Sequence, residues 1–183
     1  MILYNSTFLD TDKLESLCFR HVQGWPHKKV QAYIRYSRSA AFSGSCYYAT
    51  GKLYINLGRH VRYPYKLPAR IARAKTRGRY WVRPCHYVIV QDAYQLVLYV
   101  FLHEFYHWLV KQAGRNLRQK EAMCDRFATK VLVDCYGAEV VDNKGNRVPR
   151  EVWAWQDLEQ FVIAAATDER VRAAYKRPDK VTT

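Results

Sequence analysis

Leu102–Leu109 reads LHEFYHWL, and the way this stretch folds decides the architecture of the chain. It lies inside Ala93–Val110, an apolar run whose residues recur at helical spacing. On a helix, His103 and His107 are four residues apart and face the same way, so both imidazoles can reach one metal ion. Glu104 lies about 100° further round, where a carboxylate can take a proton from water on the metal's open side. A membrane span rarely tolerates His103, Glu104 and His107 at its centre, so none is expected here.

Downstream, Gly114 closes this helix, and Asn116 is expected to cap a second one running to about Asp134, before Gly137. If Gly114 is the turn of a helical hairpin, His107 lies seven residues before it and Glu121 seven after. His103 and Asp125 lie eleven residues to either side. Equal counts at about 1.5 Å rise per residue bring Glu121 level with His107, and Asp125 level with His103. Glu121 shares a stripe with Leu117, Cys124, Ala128 and Val131, and a carboxylate on an apolar stripe is costly unless paired or bound to metal. The spacing therefore offers Glu121 as a third ligand. Asp125 is placed to accept the free ring N–H of His103, which would fix that histidine's tautomer. Alternatively, Asp125 pairs with Arg118 or Arg126, and Cys124 offers a thiolate beside the histidines.

Upstream, Asp10–Gln23 reads as a capped helix, Val30–Tyr36 as an alternating strand, and Ser45–Ala49 with Lys52–Leu57 as a hairpin around Thr50-Gly51. His86–Val90 reads as a buried strand. Arg59–Arg83 is a long basic excursion with a short helix expected at Ala69–Lys75. Ala138–Val148 reads as two extended pieces about a turn, and Glu151–Ala166 and Asp168–Lys176 as helices with Val152, Trp155, Leu158 and Val162 as the apolar stripe. At 183 residues the chain suits a single domain, 1–183. Its core is expected at about 30–135, a basic insertion at about 59–83, and a C-terminal helical extension at about 150–176.

The net charge of +14 sits on one side of the chain. Ser16 to Gln91 holds 15 Lys and Arg and no Asp or Glu; the other 15 basic residues share the remainder with all 16 acids. Such asymmetry suggests a polyanionic partner, DNA or RNA. Arg70, Arg73, Lys75, Arg77 and Arg79, interleaved with Tyr63, Tyr65, Tyr80 and Trp81, are the candidate contacts. A solvated charged face is the competing reading. Five cysteines, odd in number and without a C-x-x-C pair, read as free thiols. With no basic start leading into an apolar run at Met1–Asp10, they point to the cytosol. The oligomeric state is not encoded in any pattern of the chain.

HEFYH followed by Glu121-Ala-Met-Cys-Asp-Arg-Phe-Ala resembles the gluzincin group of zinc metallopeptidases, and within it the ImmA/IrrE type. Ser43-Gly44-Ser45-Cys46 with Lys52–Leu57 is also similar to SprT-like domains. Those use a third histidine where this chain has Glu121. The resemblance spans roughly Phe42–Leu132 and implies an α+β, zincin-like domain: a small sheet on an active-site helical hairpin, with C-terminal helices. It implies a zinc ion on His103, His107 and Glu121, Glu104 as general base, and a protein or peptide substrate. It further implies that an edge strand beside the cleft, here Lys52–Leu57, pairs with extended substrate. Tyr136 and His86 could stabilise an oxyanion, and no spacing selects either. The other class of function consistent with the composition is a basic nucleic-acid-binding protein whose zinc site is structural or vestigial.

Overall fold

The computed structural model describes residues 1–118 and 120–167. The architecture is α+β. β1 (Ile2–Asn5), β2 (Gln31–Tyr36), β3 (Phe42–Tyr47) and β4 (Lys52–Leu57) form a sheet in the order β1-β2-β4-β3. The first three neighbours in that order run parallel, and β3 pairs antiparallel to β4 along the edge. Helix α1 (Thr11–Arg20) makes the crossover from β1 to β2, capped by the Asp10 side chain, which accepts from the Lys13 amide at 2.9 Å. Burial alternates along β4, with Leu53, Ile55 and Leu57 inward. The outward face carries a ladder of Tyr4, Tyr33, Tyr54 and Tyr47, with ring centroids 4.7, 5.0 and 5.4 Å apart in turn.

The inward face packs on α2 (Ala93–Gln112), which starts at Asp92, whose side chain accepts from the Gln95 amide. Leu96 to Leu102 is buried without interruption, so α2 is apolar all round and lies at the centre of the molecule. Gly114, at φ 67°, ends it in the left-handed conformation that glycine adopts without penalty. α3 (Glu121–Tyr136) returns along α2 and ends at Gly137, φ 64°. A second sheet, β5 (Tyr65–Ala69), β8 (His86–Val90) and β9 (Glu139–Val141), is antiparallel and sits beside the helices. Between β5 and β8 the chain projects a two-stranded ribbon, β6 (Lys75–Arg77) and β7 (Tyr80–Val82), every residue of which is exposed.

Several expectations need correcting. Asn116 does not cap a helix; its side chain accepts from the Arg118 amide in a local turn, and α3 begins five residues later at Glu121. The connection about Gly114 is thus a loop and not a tight hairpin, and Leu117 lies in that loop, off the α3 stripe. No helix forms at Ala69–Lys75: Pro68 lies in β5, an edge strand where a missing N–H is tolerated, and buried Ile71 and Ala72 lead into the ribbon. Lys52–Leu57 is interior; the edge strand beside the cleft is β3. Glu151–Ala166 is not one helix. A 3₁₀ turn at Arg150–Val152 and buried Trp153 precede α4 (Leu158–Thr167), which starts where Asp157 accepts from the Gln160 amide. Of the expected apolar stripe, Leu158 and Val162 are buried, whereas Val152 and Trp155 are exposed. The helix expected at Asp168–Lys176 lies outside the described residues. Among the described residues no helix is long and apolar enough to cross a membrane.

Candidate metal centre

α2 brings His103, Glu104 and His107 to the surface of the helix that faces α3 and β3, with Glu104 and His107 buried. The two imidazole rings are 5.0 Å apart. The Glu121 carboxylate lies across both: Oε2 is 3.3 Å from His103 Nε2 and Oε1 is 3.2 Å from His107 Nε2. Glu121 is the first residue of α3 and its side chain is 56% exposed, so the cost of a carboxylate on a buried stripe does not apply. The helix N-terminus is instead favourable ground for a negative charge. Cys124, one turn further along α3 and fully buried, completes a group with the two histidines. The ligand atoms of His103, His107 and Cys124 lie within 4.8 Å of one another, and this group could hold a metal ion.

Asp125 is a hub. Its Oδ1 lies 2.9 Å from His103 Nδ1 and accepts from the Tyr99 hydroxyl at 3.1 Å; its Oδ2 accepts from the Arg70 main-chain N–H at 2.7 Å. The bond to Asp125 engages His103 through Nδ1 and leaves its Nε2 turned towards Glu121. The pairing of Asp125 with Arg118 or Arg126 does not form: Arg126 donates to Gln156 and stacks over Trp155 at 4.2 Å. His107 Nδ1 is buried without a partner among the described residues.

Burial works against a charged His103, but the hydrogen bonds to Asp125 and Glu121 outweigh it and push the imidazole up to about 10. His107 goes the other way, held low by burial and by the positive charge on His103. Burial raises Glu104 to about 7, with the Glu121 and Asp125 charges adding to the effect and His103 opposing it. Two imidazoles, a carboxylate and a thiol are a donor set suited to a borderline-soft divalent cation.

The cleft beside this cluster is about 230 Å³ and is lined in part by Phe42, Gly44, Pro68, His103 and Glu104. β3 closes one side so tightly that a Cβ at position 44 would overlap the Glu104 carboxylate where it now lies. The composition of the chain gives no hint of this approach, nor of Tyr99 and the Arg70 amide on Asp125. Cys124 was legible as one helical turn beyond Glu121.

Of the five basic candidates, Lys75, Arg77 and Arg79 lie on the exposed ribbon, where Gly78 takes the positive φ of the turn. Arg70 has its amide committed to Asp125, and the Arg73 guanidinium lies over Trp155 at 4.3 Å. Tyr63 and Tyr65 are half-buried, so the open aromatic surface is Tyr80 and Trp81, each 76% exposed. Neither oxyanion candidate from the sequence reaches the centre: the Tyr136 hydroxyl bonds His21, and His86 lines a separate cleft with Arg73, Lys75 and Asp142. All five cysteines are free. No protein-family model, no curated protein and no solved structure matches this chain.

Proposed function

We propose that the protein is a zinc-dependent peptidase of the zincin-like, gluzincin type. The observation that carries this reading is the convergence of His103 Nε2 and His107 Nε2 on the Glu121 carboxylate, with Glu104 beside them in a cleft. His103, His107 and Glu121 would hold the ion, with Cys124 behind them. Zinc, when bound, supplies a Lewis acid that polarises a carbonyl and lowers the pKa of water.

The chain's own residues supply the rest. Glu104, in the cleft beside the two histidines, takes a proton from the attacking water as its oxygen bonds to the scissile carbonyl carbon. It then delivers that proton to the amide nitrogen as the C–N bond breaks, leaving a carboxylic acid and an amine. Asp125 keeps His103 in one tautomer and one orientation. The exposed edge of β3, whose Phe42 and Gly44 line the cleft, is where an extended peptide would add as a further strand. The test is cleavage of a randomised fluorogenic peptide library by zinc-loaded protein and by Glu104→Gln. The variant should keep zinc and lose at least about 100-fold in rate; equal rates would overturn the reading.

One observation favours a second role alongside the first. The ribbon presents Lys75, Arg77 and Arg79 with Tyr80 and Trp81, unpaired with any acid among the described residues. Cations that follow a phosphate backbone, next to rings that stack on bases, suit single-stranded nucleic acid. A peptidase carrying such a ribbon would act on proteins associated with nucleic acid.

A further inference from the structure

β2 and β4 run parallel and end side by side, with Tyr36 level with Leu57. The segments that follow them, 37–41 and 58–62, are tied together. The Ser37 amide donates to the Leu57 carbonyl and the Gly58 amide to the Ala41 carbonyl, each at 2.7 Å. These two segments and Tyr65 enclose a cleft of about 480 Å³, a size that suits a small molecule. Open sheets of parallel strands commonly bind ligands here, outside the carboxyl ends of the strands. The cleft shares no lining residue with the one beside the histidines, which begins at Phe42.

Its chemistry is one-sided. Arg38, Arg59, His60 and Arg62 bring three guanidiniums and an imidazole, Ser37 and Ser39 bring hydroxyls, and no acid lines it among the described residues. The Arg59 guanidinium is set over the Tyr36 ring at 4.6 Å, and the Ser37 hydroxyl accepts from the Ala40 amide at 3.1 Å. Arg38, His60 and Arg62 make no hydrogen bond, ion pair or ring contact with a described residue, so their donors are open to a ligand. Guanidinium forks match phosphate oxygens in pairs, and an anion relieves the repulsion among gathered cations. A single phosphate monoester carries only about −1.5 to −2 at neutral pH, less than the three guanidiniums offer. We propose that this cleft binds a chain of two or more linked phosphates, as in inorganic polyphosphate or the tail of a nucleoside triphosphate. Arg38 and Arg62 hold the chain from the two facing segments.

Calorimetric titration of the full chain at low salt with tripolyphosphate, ATP and citrate tests this. The parent should take up one tripolyphosphate, and citrate should bind at least about tenfold more weakly, because its carboxylates cannot fill the same forks. Arg38→Gln with Arg62→Gln should lose at least about tenfold in tripolyphosphate affinity through the missing charge-assisted bonds. Lys28→Gln with Lys29→Gln removes the same charge near the opposite end of β2 and should change affinity by less than about threefold, because salt screens distant charges. All four substituted side chains are exposed, so urea unfolding and zinc content should match the parent. ATP binding at least as tightly as tripolyphosphate identifies a nucleotide as the ligand, and weaker ATP binding identifies inorganic polyphosphate. No binding of either by the parent, citrate binding as tightly, or an equal loss in the two double variants would overturn the proposal.

Discussion

The backbone of Gly44 is pressed against the Glu104 side chain so closely that a Cβ at position 44 would lie 2.2 Å from Oε1. The atoms in the way, Oε1, Cδ and Cγ, all belong to one flexible side chain. Gly44→Ala should therefore displace Glu104 at little cost to the fold, about 1 kcal/mol for an off-rotamer side chain. On the peptidase proposal, hydrolysis should fall by about 100-fold or more, since the displaced group is the one assigned there as general base. Zinc content should not change. Parallel measurement of unfolding, zinc and kcat checks this. A fully active Gly44→Ala would show that Glu104 does not act from the position it occupies here.

Asp125 accepts from three donors, and only one of them, His103, belongs to the group that could hold a metal ion. Asp125→Ala should weaken zinc affinity or activity by about 10–100-fold through a misoriented His103. It should also destabilise the protein, because the buried Tyr99 hydroxyl and the Arg70 amide lose their acceptor. Asp125→Asn keeps an acceptor for at least part of this set and should be milder on stability than on metal affinity. Chelator competition and chemical unfolding separate the two effects. Unchanged zinc affinity in both variants would remove Asp125 from the site.

A pH dependence follows from α3's far end. Asp134 takes a two-pronged contact from Arg150, at 2.5 and 3.0 Å, and a further one from Lys130. The Arg150 hydrogen bonds, against some burial, hold its carboxyl below the usual 3.8. A depressed folded pKa contributes stability that is fully present above the unfolded value and is lost as pH falls through the folded one. Asp134→Asn should cost at most about 1 kcal/mol at neutral pH, since the pair is partly exposed, and less near pH 2. Urea unfolding at both pH values reads this directly. A cost that persists undiminished in acid would mean Asp134 stabilises through packing and not through charge.

On the ribbon, phosphate contacts release counterions, so affinity for single-stranded nucleic acid falls with salt at a slope of about −0.7 per phosphate neutralised. Replacing Lys75, Arg77 and Arg79 by Gln should flatten the log–log slope for a deoxythymidine oligomer by about 2. Tyr80→Ala with Trp81→Ala should weaken binding by about 1–3 kcal/mol per ring without changing that slope. Zinc content should be the same in every variant. No binding by the parent at low salt would assign the ribbon to another partner.

The two histidines and Glu104 were legible because they depend on local periodicity. Positions four apart on a strongly apolar helix share a face whatever the rest of the chain does. Glu121 and Asp125 do stand near His107 and His103, although a loop and not a tight hairpin joins the two helices. α3 starts at Glu121, so the carboxylate meets the histidines from a helix end and not from the middle of a paired stripe. β1 was not legible: four residues with a parallel partner 29 positions away carry no local signal. Neither was the edge position of β3, because strand order is a property of the sheet and not of the strand. Nor do the ribbon strands stand out within the basic excursion Arg59–Arg83, since each is three residues long, with cations where apolar residues would alternate.

Glu121 and Cys124 both stand within reach of the histidines, and which of them binds the ion decides whether the centre keeps a position open for water. X-ray absorption at the zinc edge of the loaded protein tells them apart. Two imidazole nitrogens with oxygen at about 2.0–2.2 Å and no sulfur shell are expected, leaving a position open for water. The same spectrum from Cys124→Ser should be unchanged, while Glu121→Ala should lose most of the metal. A sulfur shell at about 2.3 Å, abolished in Cys124→Ser, would contradict the account and make the site a His-His-Cys centre.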